Sequence, residues 1–189
     1  MRAKINGKAK RIILYEGKFL RLLRQGEWEY VERNNCTGIV IIVALTNDEK
    51  VIFVEQYRPP VGKKVIEFPA GLVNDRKGKK KESLFAAAKR ELFEETGYRA
   101  KRIVTLLKGP VSAGSSSDQV TLLQATQLEK TGKGGGDDFE SISVHEVSLQ
   151  KAHQWLKKME AQGYLIEPKI YAGLYFLHAY NGDVFVKQT

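Results

Sequence analysis

The first third of the chain is built from short β-rich runs: "RIILYEG" (11–17), "KFLRLLRQ" (18–25), "EWEYVERN" (27–34), "TGIVIIVALT" (37–46) and "KVIFVEQYR" (50–58), punctuated by Gly, Asn and Asp. Runs of this kind predict strands, and "ALTNDEKV" predicts a hairpin between the last two. The pattern then turns helical in "SLFAAAKRELFEETG" (83–97), where Ser83 suits an N-cap and Gly97 the position just past the last turn. Strands resume with "RIVTLLKG" and "QVTLLQAT", the segment "EKTGKGGGDDFE" (129–140) predicts a loop, and "SISVHEV" a further strand. Leu149, Ala152, Trp155, Leu156 and Met159 recur at helical spacing, as do Ile170, Leu174 and Leu177, so two amphipathic helices close the chain. Long β section, helix, strands, helices: the order argues for a mixed α/β (α+β) arrangement rather than regular βαβ alternation.

Composition narrows this picture. At 189 residues and 42% hydrophobic content the chain supports one compact domain, or one domain plus a short appended element. The formal charge of +9 favours anionic partners without choosing among nucleic acid, a membrane surface and a phosphorylated small molecule. Cys36 is the single cysteine, which excludes an intrachain disulfide and a thiolate metal cluster and fits a reducing, cytoplasmic setting. The longest apolar run, "IVIIVAL" (39–45), is far short of the roughly 20 residues that span a bilayer, and the start of the chain lacks a signal-peptide pattern. No membrane partner is expected, and no RNA-binding aromatic motif is evident.

The helix at 83–97 carries an unusual charge pattern. Advancing about 100° per residue, Glu91, Glu94 and Glu95 gather in an arc of roughly 100° beside an apolar face of Leu84, Phe85, Ala88, Leu92 and Phe93. Carboxylates at this spacing repel by a few tenths of a kcal/mol each, and near a helix C-terminus they oppose the macrodipole. Neutralisation by Lys89 and Arg90 in an exposed helix would offset part of that. A divalent cation would offset more, since hard oxygen ligands suit Mg²⁺ or Mn²⁺.

Spacing favours the cation. Glu82, "REL" (90–92), "EE" (94–95), Gly97 and Tyr98 resemble the Nudix box from its first glutamate onward. The opening glycine departs from the pattern: Gly71 in "EFPAGLV" stands eleven residues before Glu82 where the family has six, with "DRKGKKK" resembling a five-residue insertion. Loops absorb such length cheaply. Upstream, "VEQYRPPVGKKVIEFPAG" (54–71) resembles the segment that precedes the box in ADP-ribose pyrophosphatases and related nucleoside-diphosphate-sugar hydrolases.

That resemblance implies a Nudix α/β/α sandwich with a mixed sheet over 37–189, preceded by an N-terminal antiparallel β segment (1–36) exchanged in a homodimer. It implies Mg²⁺, with Mn²⁺ as the alternative, held by the Ala70 carbonyl, Glu91 and Glu95, with Glu82 and Glu94 supporting. Arg90 becomes an orienting ion-pair partner, because a guanidinium cannot accept a proton. The catalytic base falls to Asp138 or Glu140, with Glu94 a further catalytic candidate. Arg58 would meet the pyrophosphate of the substrate, Glu67 is a further substrate-binding candidate, and so are Gly114 and Asp118, in a loop that resembles the family's. Phe19 and Trp28 sit where relatives sandwich a nucleobase, although dimer or core packing would also explain them.

The expected reaction is hydrolysis of a nucleoside diphosphate sugar to a nucleoside monophosphate and a sugar phosphate. Ala113, where strict ADP-ribose pyrophosphatases tend to have proline, widens the substrate from ADP-ribose to nucleotide sugars generally. Hydrolysis of RNA 5′ ends or dinucleoside polyphosphates is the alternative, and a binding-only sensor a third reading. His145, His153 and His178 are scattered and read as structural, Trp155 as core, and Cys36 as buried.

Overall fold

A computed structural model describes residues 9–74, 81–136 and 141–180. The chain opens with β1 (Arg11–Glu16), β2 (Leu20–Gln25) and β3 (Trp28–Arg33), which form a separate antiparallel sheet in that order. β4 (Gly38–Ala44) and β5 (Lys50–Arg58) follow, joined by a tight turn in which Thr46 N donates to Lys50 O and Glu49 turns at φ 55°. Beyond the single Leu45–Val51 bridge the two strands part into different sheets, so the hairpin expected between them does not form. Next come β6 (Lys63–Glu67), β7 (Ala70–Val73) and α1 (Leu84–Thr96). Beyond the helix lie β8 (Tyr98–Pro110), β9 (Gln119–Lys130), β10 (Ser143–Ser148), α2 (Ala152–Ala161), β11 (Leu165–Ile166) and α3 (Lys169–Tyr180).

Two four-stranded sheets form the body, ordered β10-β5-β6-β11 and β7-β4-β9-β8. Both are mixed, because β4 runs parallel to β9 and β11 parallel to β6 while the other pairs are antiparallel. Alternation along β4 explains the layering. Val40, Ile42 and Ala44 face α1 and pack with Ala87, Ala88 and Leu92, while Ile41 and Val43 face the opposite side, where α2 and α3 contribute Leu156, Ile170 and Leu177. Helices therefore cover both faces, giving an α/β/α sandwich. No helix among the described residues is long and apolar enough to cross a membrane.

Some sequence expectations shift. Glu129 and Lys130, assigned to a loop, end β9 because they pair with Arg99 and Tyr98 at the start of β8. Leu149 lies in a 3-10 turn ahead of α2 rather than in the helix itself. Cys36 is only partly buried. Trp155, by contrast, stacks on Phe53 at 5.4 Å between centroids and packs against the core.

Candidate active site

Three local features place the glutamate helix. Ser83 Oγ accepts from Ala86 N at 3.2 Å and starts α1, and Gly97 at φ 75° ends it while donating to Phe93 O at 2.9 Å. Ala87, Ala88 and Leu92 bury the apolar face. The glycine-rich loop then caps the carbonyls that the last turn leaves open: Gly135 N donates to Glu95 O at 2.8 Å and Gly136 N to Glu94 O at 3.1 Å. Gly134 lies so close that a Cβ there would strike the backbone of Glu95 and Thr96.

The other side of the site is β7. Register sets Ala70 opposite Ile41 and Gly71 opposite Val40, so a Cβ on Gly71 would face α1. That space is filled by the Glu91 carboxyl, which a Cβ would overlap. Glu95, buried at 3% exposure, accepts from Ala70 N at 3.2 Å. Two carboxylates thus converge on the backbone of one short strand. Among the described residues no three acidic, imidazole or thiol side chains form a metal-holding group, but two carboxylates with a backbone carbonyl form an all-oxygen donor set of the type a hard divalent cation takes. The missing Cβ at Gly71 is what lets Glu91 reach it.

Arg90 ties the remaining acids together. It donates to both oxygens of Glu82 (3.0 Å each), to Glu91 at 2.7 Å, to Glu94 at 3.1 Å and to Leu72 O at 3.1 Å. Burial works against its charge, yet hydrogen bonding to Glu82 and the charge of Glu91 outweigh that and hold the guanidinium protonated beyond its ordinary range. Glu82 is anchored by its backbone N–H, which donates to Asn74 Oδ1, while Asn74 Nδ2 donates to Thr37 Oγ1 at 2.7 Å; residues 75–80 of the lysine-rich insertion lie outside the described residues.

Arg58 and Glu67 stand together at the β5–β6 ladder. Arg58 Nε and an Nη donate to Glu67 at 2.9 and 2.7 Å, and Gln56 Nε2 adds a third donor at 3.1 Å. Glu167, which sequence reasoning missed, follows the parallel pair Ile166–Ile66 and donates its N–H to Ile66 O at 3.0 Å, beside Glu67. Its only sequence signal was the pattern "YLIEPK". Burial, with the neighbouring Glu67 charge, raises its pKa despite the ion pair with Lys169.

Other candidates lie apart. Asp118 accepts from Arg33 Nε at 3.1 Å, an ion pair that fastens β3 to the loop after β8, and Gly114 lies in that same loop with open space where a side chain would project. Phe19 precedes β2 and Trp28 begins β3 opposite Gln25, at opposite ends of that hairpin and about half exposed. Within one chain they do not face each other. Asp138 and Glu140 lie outside the described residues.

His145 and His153 are engaged in packing contacts. His145 Nε2 is 3.0 Å from Glu55 and its ring packs on Trp155, while His153 meets the edge of Tyr171.

A sandwich with a glutamate helix set over a glycine-containing strand offers an all-oxygen site for a hard cation and its phosphorylated ligand, and comparison with known proteins gives the family. The NUDIX domain matches residues 37–165, and the chain belongs to the Nudix family. It is 36% identical to a methanol dehydrogenase activator of Bacillus methanolicus over 77% of this chain and 80% of that protein. It is 34% identical to an ADP-ribose pyrophosphatase of Bacillus subtilis, over 65% and 64% of the two chains, and 33% identical to an ADP-sugar pyrophosphatase of Mus musculus, over 80% and 74%. A crystal structure of an ADP compounds hydrolase superposes with a TM-score of 0.68 at 19% identity, covering 93% of this chain and 95% of that one, which shows the shared fold. The protein is a Nudix pyrophosphohydrolase resembling the ADP-ribose and ADP-sugar pyrophosphatase group. Nudix hydrolases as a family use divalent metal ions.

Proposed function

We propose that this protein hydrolyses the pyrophosphate bond of nucleoside diphosphate sugars, ADP-ribose or a related compound, in a Mg²⁺-dependent reaction, with Mn²⁺ able to substitute. The observation that carries this reading is the convergence of Glu91 and Glu95 on the Ala70–Gly71 backbone. Ala70, Glu91 and Glu95 would hold the ion, with Glu82 and Glu94 supporting. When bound it would neutralise diphosphate oxygens and lower the pKa of an attached water. Arg90 holds Glu82, Glu91 and Glu94 in place, and it does so without competing as a base. Arg58, oriented by Glu67, presents a guanidinium to the substrate diphosphate. In the reaction a water oxygen bonds to one phosphorus, the bridging P–O bond breaks, and the water's proton passes to Asp138 or Glu140, with Glu94 the remaining candidate.

The N-terminal segment supports a homodimer. Ile12, Ile13, Tyr15, Phe19, Leu20 and Trp28 leave an apolar surface of the kind that marks an interface. Exchange of these strands would let Phe19 and Trp28 meet a nucleobase from two subunits. A single cysteine in the sequence fits a cytoplasmic location.

The test is to incubate purified protein, with and without Mg²⁺, with ADP-ribose, UDP-glucose, GDP-mannose and a capped RNA. Metal-dependent release of a nucleoside monophosphate and a sugar phosphate is expected. Glu91→Gln and Glu95→Gln should each lower kcat by more than about 100-fold, the upper end for groups that only support a metal ligand. Cleavage of RNA ends alone, or full activity in both variants, would refute the reading.

A further inference from the structure

A cavity of about 530 Å³ opens where the N-terminal sheet meets the β7-β4-β9-β8 sheet. Its walls carry Arg11, Arg21, Arg33 and Lys108 against only Glu32 and Asp118. The two carboxylates are already shared: Glu32 bonds Arg11 at 2.7 Å, and Asp118 bonds Arg33 at 3.1 Å. Arg21 Nε lies 3.1 Å from Glu32 Oε2, close enough for charge attraction, yet its N–H is not aligned on that oxygen and remains a buried donor without an acceptor. Lys108 is exposed and has no ion pair among the described residues. Buried donors left unmatched are costly, and a polar cavity with four cations and two committed acids lacks an anion.

Shape and position narrow the ligand. No aromatic ring lines the cavity, so it is not built to stack a base. Gly38 and Ile39 in its wall pair with Val73 and Leu72, and Ala70 pairs with Ile41 further along the same ladder. At about 3.3 Å per residue, the cavity lies roughly 7–10 Å from the Ala70 end of β7, which Glu95 of α1 meets. That separation falls within the reach of a single nucleotide sugar.

We propose that this cavity binds a phosphate monoester on the ribose of the substrate's nucleoside, remote from the scissile diphosphate. The preferred substrate is then a nucleoside diphosphate sugar with one additional phosphate. This rests on the pyrophosphatase reading above. Arg21 and Lys108 contact the added phosphate, and Arg33, braced by Asp118, fixes the wall that holds it. A site that supplies such donors disfavours the analogue lacking the group, because its buried donors then stay unmatched.

The experiment compares steady-state kinetics for ADP-ribose and ADP-ribose 2′-phosphate in the wild type, Lys108→Ala and Arg21→Gln. The phosphorylated substrate should have a kcat/KM at least about tenfold higher, expressed in KM. Either variant should reduce that preference by roughly tenfold, equivalent to about 1.4 kcal/mol. Equal kcat/KM in the wild type, or a preference unmoved by both substitutions, would overturn the proposal. Lys108-dependent binding of inorganic phosphate with no advantage for the phosphorylated substrate would also overturn it, since the anion would then be a free one. Calorimetry with adenosine 2′,5′-bisphosphate and AMP reads the cavity without catalysis: tighter binding of the bisphosphate, lost in Lys108→Ala, supports it even if neither sugar nucleotide is cleaved, an outcome that would strike the pyrophosphatase reading alone.

Discussion

β1 and β4 are both short and apolar, yet β1 is exposed along its whole length while Val40 to Ala44 of β4 are sealed from solvent. Strand propensity does not distinguish them. What differs is what covers them: β4 has a strand on each side and helices over both faces, whereas the N-terminal sheet buries only Leu23 deeply. It is fastened to the body at one seam, where Val31 exchanges backbone hydrogen bonds with Ser115 and Ser117 and Arg33 pairs with Asp118. The body has a core of its own, whereas the first sheet leaves most of its apolar side chains exposed.

Paired truncations would break that contrast if it is wrong. Leu92 is fully buried between α1 and the sheet, so Leu92→Ala should cost about 2–5 kcal/mol at any protein concentration. Leu20 is exposed on β2, and Leu20→Ala should change the stability of a dilute protein by no more than about 0.5 kcal/mol. Its cost should grow with protein concentration if the sheet is a dimer interface. Urea denaturation at two concentrations checks both. Equal, concentration-independent losses would mean that the sheet belongs to the same core.

Two glycines sharpen the contrast at smaller scale. Gly71 is the candidate opening glycine of the motif and Gly114 a candidate substrate-binding position, and of the two only Gly71 abuts a side chain. Gly71→Ala would push its Cβ into Glu91, at about 1–3 kcal/mol of overpacking together with a fall in kcat. Gly114→Ala meets nothing within 4 Å and should leave thermal stability nearly unchanged. Thermal melts and initial rates on the two variants decide it.

These residues also show how far the sequence could be read. The cap at Ser83, the left-handed Gly97 and the carboxylate arc of α1 are local, so spacing alone located them. β7 and β11 were not anticipated, because four and two residues carry too little periodicity to register. The end of β9 was misjudged because charge and glycine suggested a loop, while pairing with β8 continued the strand through Lys130. Arg33 and Asp118 lie 85 positions apart, and no local pattern announces such a contact. Nor did composition reveal that the glycine loop would cap the helix bearing Glu94 and Glu95.

The smallest expected effect concerns two acids near the ladder ends, set to opposite sides by their surroundings. Burial pushes the Glu55 carboxyl upward, but Lys64 at 2.7 Å and His145 at 3.0 Å reverse this and leave its pKa below the ordinary 4.5. A depressed carboxyl stabilises the fold above its unfolded pKa and loses that contribution as pH falls through the folded value. Glu55→Gln should therefore lower stability at pH 7, by no more than about 1 kcal/mol given the exposure of Lys64, and the difference should shrink as pH falls through the depressed folded value. Glu167 runs the other way. Burial raises its pKa, so its ionised form costs stability at neutral pH, and that cost disappears on acidification. Glu167→Gln should raise the melting temperature at pH 7 and converge with the wild type in acid. Thermal melts across pH 3.5 to 7 read both, and two variants shifting in the same direction at pH 7 would show that burial alone, not the ion pairs of Glu55, governs these carboxyls.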